Sequence, residues 1–230
     1  MPLKEDLQSE VRDIFASRWQ ERNGTIVPSS ENVRLGNDGV WLDATILYAD
    51  IADSTKLVDG NDARLAAEAY KAFLHCAAKI IRSESGEITA YDGDRVMAVY
   101  IGGTKNTSAA RTALKINFAR TQIINPAIKK QYPSSDIEIK HVCGVDTSKI
   151  FVARTGIRGA NDLVWVGRAA NHAAKMAALS ENFPSRISEE VFNSMHASAR
   201  VSSDGKPMWE KATWTDMGRT IYRSTWRWSV

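Results

Sequence analysis

Two short stretches of the chain place acids where chemistry on a phosphate needs them. The first is Tyr48-Ala49-Asp50-Ile51-Ala52-Asp53-Ser54-Thr55. It continues an apolar run, Ala44 to Tyr48, that reads as a buried strand, so Asp50 stands at a strand end and Asp53 just past it. The second is Tyr91-Asp92-Gly93-Asp94-Arg95, with Asp-Gly at the centre of a hairpin turn. Ionised carboxylates do not normally end a buried strand unless something positive meets them. If the first strand and the hairpin are neighbours, Asp50 and Asp94 converge on one side of the sheet and raise each other's pKa. Divalent cations remove that penalty and take hard oxygen ligands. Beyond Ile51 the chain turns, and its backbone N–H groups with the Ser54 and Thr55 hydroxyls suit phosphate oxygens. Carboxylates, metal and phosphate together point to phosphoryl transfer by two metal ions. Each stretch alone also has a plainer use. Asp50 and Asp53 can cap the following helix, the favoured role for Asp53, and Asp92-Gly93 can simply turn a hairpin.

The elements that must position these acids follow from periodicity. Leu3, Leu7, Val11, Ile14 and Trp19 mark one face of an N-terminal amphipathic helix, which either covers the core or pairs with a second copy of the chain. Asn23-Gly24 stops it, and residues 23–40 read as a connector, dividing the chain into an N-terminal helix and connector over 1–40 and one domain over 41–230. Residues 41–51 form the first strand, and Ala63 to Ile80 carry a helical period. Glu87–Ala90 and Val96–Ile101 are short strands, and residues 107–128 a second long helix. Strands are predicted near 136–146, 149–154 and 162–166, then a helix over 168–179. A strand at Arg186–Ser188, a helix from Glu189 and a final hairpin over 209–225 complete the chain. The order β-α-β-β-α-β, with additions, predicts an α+β, ferredoxin-like domain: a mostly antiparallel sheet with helices packed on one face.

Bulk properties narrow the class. In 230 residues Lys and Arg number 30 against 27 Asp and Glu, and no basic run suggests a duplex-binding stripe, so nucleic acid is not an expected partner. No stretch reaches 18 apolar residues, and the N-terminus has no apolar leader, so no direct membrane association is expected. Cys76 and Cys143 sit in apolar strings and read as reduced, buried residues. A soluble, cytoplasmic protein is the expectation. His75, His141, His172 and His196 show no ligand spacing and are assigned no catalytic role.

The two acid stretches, taken in order with two later motifs, resemble the catalytic domain of class III nucleotidyl cyclases. Tyr48 to Thr55 matches the family's first metal motif, and Gly93-Asp94-Arg95-Val96-Met97-Ala98-Val99-Tyr100 its second. Gly144-Val145-Asp146-Thr147-Ser148 loosely matches a Gly-apolar-x-Thr-Gly pattern. Gly167 to Lys175 matches a helix start with Asn at 171 and, where the family usually has Arg, Lys at 175; Met217 to Tyr222 resembles its last hairpin. The resemblance covers residues 41 to 225. It implies that Asp50, Asp94 and the Ile51 carbonyl bind two Mg²⁺ or Mn²⁺ ions. One would acidify the ribose 3′-hydroxyl of a nucleoside triphosphate and the other would grip the triphosphate. It implies a homodimer with its sites at the interface. Asn171 would orient the ribose and Lys175 would stabilise the transition state, both from the subunit opposite the metals. Lys keeps the charge of Arg but not its bidentate fork.

The departures concern the base. Where adenine-reading relatives place a polar pair, this chain has Ala90 and Val164, and guanine-reading pairs are absent too. A site without those donors discriminates poorly for a purine. The Tyr-x-Gly-Asp-Arg hairpin, with Trp165 before the third helix, is similar to the bacterial pyrimidine cyclases of the Pycsar anti-phage system. Tyr91, Arg95 and Trp165 are then base-pocket candidates. Their plainer readings are a strand residue, a surface partner of Asp92, and a core residue, the last favoured for Trp165. General similarity to the uridylate branch favours UTP as substrate, with a cyclic nucleotide product read by a separate effector protein. A cytidylate cyclase, a cyclase of broad or purine preference, and a degenerate nucleotide-binding module are the alternatives.

Overall fold

Two long strands with alternating burial organise the chain. The computed structural model describes residues 2–60 and 62–230. Strands β2 (Asp38–Ala52) and β5 (Lys140–Ile157) pair antiparallel from Gly39↔Ala153 to Ala52↔Lys140. Around them run β3 (Glu87–Asp92), β4 (Arg95–Tyr100), β7 (Ser185–Ser188), β8 (Glu210–Trp214) and β9 (Arg219–Ser224), in the order β3-β4-β2-β5-β7-β9-β8. β1 (Gln20–Asn23) pairs with β2 and β6 (Ala160–Val166) with β5. β1 lies parallel to Asp38–Trp41, so the sheet begins within the first forty residues. All pairings but β1–β2 and β5–β7 are antiparallel.

Period-two alternation gives each sheet face its own core. Leu47, Ala49 and Ile51 of β2, with Val96, Ala98 and Tyr100 of β4, pack under α3 (Ala63–Ser83) and α4 (Lys105–Ala119) through Phe73, Ala77, Ile81, Ala113 and Leu114. Leu42, Ala44 and Ile46, with Met97, Val99, Ile150 and Val152, pack on the other face against Ala169, Ala170 and Ala173 of α6 (Arg168–Ala177). Helices therefore cover both faces, a correction to the one-face expectation. α6 approaches so closely because both surfaces are small. A Cβ on Gly144 of β5 would lie 2.1 Å from the Ala173 carbonyl oxygen and 2.7 Å from the Ala177 nitrogen.

Several element bounds also differ. The strands predicted near 136–146 and 149–154 are one strand. The polar pair Thr147-Ser148 suggested a break, but the Thr147 hydroxyl donates to the Ala44 carbonyl (3.2 Å) and Ser148 Oγ accepts from the Ala169 N–H (3.1 Å), so both are satisfied in place. The helix predicted over 107–128 is α4, a wide turn over 120–124, and α5 (Asn125–Gln131). Pro126 has no N–H to continue the ladder, and Asn125 N–H bonds the Arg120 carbonyl instead. A short helix, α2 (Ser54–Asp59), precedes α3, and α7 (Glu189–Ser194) follows β7. α1 (Leu3–Ala16) buries none of its residues, and Ile14 and Phe15 are 59% and 86% exposed. It does not cover this chain's own core. Trp19 lies past its end and packs edge-on against Phe151, ring centres 4.9 Å apart.

Gly144→Ala is expected to lower the unfolding free energy by about 1–3 kcal/mol, because the new methyl meets backbone that cannot move aside. Gly103→Ala, where nothing lies within 4 Å, is expected to change it little. Urea denaturation of both variants measures the difference, and equal stabilities would contradict the close approach of α6.

Candidate active site

The register of β2 on β4 brings the two remote carboxylates together. The pairing runs from Thr45↔Tyr100 to Ala49↔Val96. One more step along this register sets Asp50 beside Arg95, which Asp94 of the β3–β4 turn directly precedes. The β3–β4 turn supplies Asp94 through Gly93, whose φ of +61° is the left-handed conformation a tight hairpin needs. Asp50 is half-buried, and its carboxyl is pushed up to about 6, first by burial and then by the neighbouring Asp94 charge; Arg95 opposes both. Asp94 Oδ2 is buried and has no hydrogen-bond partner among the described residues. An orphaned carboxylate oxygen beside a second, strained carboxyl is the environment a divalent cation relieves. Ile51 lies between them, its side chain fixed in the α3-side core. Among the described residues no cluster of three or more His, Cys, Asp or Glu side chains suits a metal, so no third acid or imidazole joins the pair.

Tyr48 shares the Asp50 face, two residues earlier on β2. The Arg95 guanidinium stands 5.5 Å from the centre of its ring and 2.9 Å from Asp92 Oδ2. Arg95 thus pairs with Asp92 and at the same time leans over Tyr48. Burial raises the Tyr48 phenol pKa, so its hydroxyl stays protonated beside the acids. Ala90, opposite Met97, is partly buried against the α6-side core, as are Leu163 and Trp165. Tyr91 stands opposite Val96, whose side chain lies in the α3-side core, so Tyr91 belongs to the face away from Arg95 and is 56% exposed. The structure therefore does not bring Tyr91 to the Asp50 face.

Past Ile51 the chain turns through Asp53 at φ 57° into α2. Asp53 sits at the cap position, but its side chain makes no capping bond and instead pairs with Lys56 at 3.1 Å. Capping by Asp53 is thus corrected: its left-handed backbone is that of a chain reversal. Ser54 and Thr55 open α2, Ser54 half-buried and Thr55 exposed. A cleft of about 330 Å³ lies beside this turn, lined by Ile51, Asp53, Lys56, Glu138 and Lys140 among others.

Asn171 and Lys175 occupy an exposed row of α6, one helical turn apart. Lys175 Nζ lies 3.9 Å from Met217 Sδ and makes no ion pair among the described residues. Within one chain neither residue joins the Asp50–Asp94 pair. A cluster that the sequence reading passed over lies beside them. Asp146 of β5 is wholly buried, with Thr147 N–H donating to its Oδ1 at 2.7 Å, Arg168 Nη2 3.4 Å from Oδ1 and His172 Nδ1 3.3 Å from Oδ2. Burial pushes the Asp146 carboxyl up and the His172 imidazole down. The signal was an acid directly after the run His141 to Val145, but its two partners stand more than twenty residues further on.

No family model matches the chain. Curated relatives match it along its whole length. A uridylate cyclase of Xanthomonas perforans is 49% identical over 232 residues, covering 100% of both chains. One of Burkholderia cepacia is 48% identical with the same coverage. One of Rhodovulum sp. (strain MB263) is 37% identical, covering 99% of this chain and 98% of the relative. Among solved structures, a bacterial light-regulated adenylyl cyclase superposes with a TM-score of 0.69 at 17% identity, covering 84% of this chain and 54% of the other. The guanylyl cyclase Cya2 gives 0.68 at 15% identity, covering 83% and 95%. At these identities the solved structures establish a shared fold.

The raised Asp50 carboxyl gives a signed prediction. Its folded pKa of about 6 exceeds the ordinary 3.8, so the folded state holds this proton more tightly and loses stability as pH rises between those values. Asp50→Asn removes that cost. Without metal, the variant's Tm is expected to exceed wild type at about pH 8 and to approach it at about pH 4. Mn²⁺ is expected to raise the wild-type Tm and leave the variant's nearly unchanged. Equal melting at pH 8, or an equal Mn²⁺ shift in both, would contradict the electrostatic reading.

Proposed function

This chain belongs to the uridylate cyclase family, and we propose that it converts UTP to 3′,5′-cyclic UMP and pyrophosphate. The observation that carries the reading is the convergence of Asp50 and Asp94, one carboxyl raised to about 6 and the other with a buried oxygen lacking a partner. Asp50, Asp94 and the Ile51 carbonyl hold two divalent cations, Mn²⁺ or Mg²⁺. When bound, these supply the positive charge that neutralises the triphosphate and makes the ribose 3′-hydroxyl acidic. The Ser54 and Thr55 N–H and hydroxyl groups bind phosphate oxygens at the turn after β2. The 3′-oxygen bonds to the α-phosphorus, the bond from that phosphorus to the bridging oxygen breaks, and pyrophosphate leaves with the hydroxyl proton passing to solvent.

The second half of the site comes from a second copy. Asn171 and Lys175 are exposed on α6 and free of ion pairs in their own chain, which suits side chains that meet substrate across a homodimer interface. Asn171 orients the ribose, and Lys175 places a point charge beside the α-phosphate. Ala90 and Trp165 are apolar and partly buried on the α6-side face, and Arg95, leaning over Tyr48, offers a donor for a base carbonyl. These features favour a pyrimidine over a purine. Tyr91, on the other face, is left out of this pocket. No helix is long and apolar enough to cross a membrane among the described residues. The cellular role that fits is cytoplasmic anti-phage signalling of the Pycsar type, with cyclic UMP sensed by a separate effector protein; its support is the hairpin resemblance and the names of the relatives.

Incubation with each of the four ribonucleoside triphosphates and Mn²⁺ tests the reading. One cyclic product, cyclic UMP, is expected, and Asp50→Ala and Asp94→Ala should each lower turnover by at least about 10²-fold. Cyclic CMP alone would move the assignment to cytosine, and equal turnover of ATP would remove the pyrimidine preference. Wild-type turnover in either Asp variant would overturn the metal assignment.

A further inference from the structure

We propose that Asp146, acting through Arg168 and His172, is a positioning residue that fixes the rotation of α6 and so aims Asn171 and Lys175 at the substrate. The inference rests on the roles given to Asn171 and Lys175 above. A carboxylate with no exposure is costly to bury, by several kcal/mol unless it is paired. Asp146 meets two side chains of a single helix, the Arg168 guanidinium and the His172 ring. Arg168 and His172 are four residues apart, one turn of α6, so one carboxylate of β5 grips the helix at two points along its length. The grip is extended on both sides. The Arg168 guanidinium donates to the Thr147 carbonyl at 2.6 Å and to Glu190 of α7, and Arg219 of β9 holds the same Glu190 oxygen at 2.5 Å. The His172 ring meets Trp214 of β8 edge-on, with ring centres 5.5 Å apart.

Toward β2 and β5 the apolar contacts of α6 are small: Ala169, Ala170 and Ala173 lie over the sheet, and the helix runs against the bare backbone of Gly144. Its one large buried apolar side chain, Met176, packs with Trp214 and Ile221 near the C-terminal end, so at the N-terminal turns the polar grip on Arg168 and His172 adds definition that alanines do not. Asn171 and Lys175 occupy the row beside Arg168 and His172. A rotation of about 20° moves a side-chain tip about 6 Å from the helix axis by roughly 2 Å. A misplacement of about 1 Å near reacting atoms costs on the order of 10²-fold in rate. Asp146 touches neither substrate nor metal in this scheme; it acts through the orientation of the helix.

A double-mutant cycle on the full-length protein tests this. Asp146→Asn keeps the shape and removes the charge, and it is expected to lower kcat by about 10- to 100-fold with KM for UTP within about threefold. In the Lys175→Ala background, already slow, the same change is expected to cost several-fold less than in the wild-type background, because one of the two residues it aims is gone. His172→Gln, a milder cut in the same grip, is expected to show the same split and the same loss of effect, and it decides the matter if Asp146→Asn fails to fold. Additive losses in both cycles, an unchanged kcat in the single variants, or parallel changes in kcat and KM would overturn the proposal while leaving the roles of Asn171 and Lys175 intact. A Lys175→Ala variant with wild-type kcat would instead overturn the underlying reading, and the proposal with it.

Discussion

Two negative charges that the fold forces together govern the rest of the structure. Asp50 and Asp94 come from distant parts of the chain, and the antiparallel register of β2 on β4 leaves them no choice of neighbour. Burial and mutual repulsion lift one carboxyl to about 6, and the other keeps an oxygen with no partner. A sheet optimised for stability would not hold this pair. Strain of this kind is retained where a ligand relieves it, and sites so built trade stability for activity. Arg95 softens the repulsion but is itself engaged by Asp92 and Tyr48, so it does not neutralise the pair.

The proposed roles of Asn171 and Lys175 lie on α6, which the same sheet positions through Gly144 and the buried Asp146. The helix packs closely through small residues and is tied to Asp146 through Arg168 and His172, and its exposed Lys175 makes no ion pair among the described residues. In the function proposed above, a second copy of the chain completes the site. The exposed apolar side chains of α1 likewise leave a surface that its own chain does not cover.

Much of this was legible in the sequence because the long strands alternate cleanly, with Asp50 near the end of β2 and Asp94 in the turn before β4. Asp50 at the close of an apolar run and Asp-Gly in a hairpin are local signals, and the β2–β4 pairing sets the strands that carry them side by side. What failed was non-local. The side on which Tyr91 falls depends on a register shift between Ile88 and Ala90, which no period-two count reveals. Thr147-Ser148 imitated a turn because the partners satisfying it, Ala44 and Ala169, are remote. Asp146 looked like one more strand residue, since Arg168 and His172 join it only when α6 folds back over β5. α6 itself was expected on the same face as the other helices; the Gly and Ala residues that let it pack on the opposite one carry no directional signal until both surfaces are seen.

The most direct test of the central claim is a crystal structure with Mn²⁺ and a non-reactive UTP analogue, the metal located by anomalous scattering. The expected result is a metal peak within about 2.0–2.5 Å of carboxylate oxygens from both Asp50 and Asp94. Mn²⁺ bound elsewhere, with these two carboxylates free of metal and apart from the triphosphate, would contradict the account.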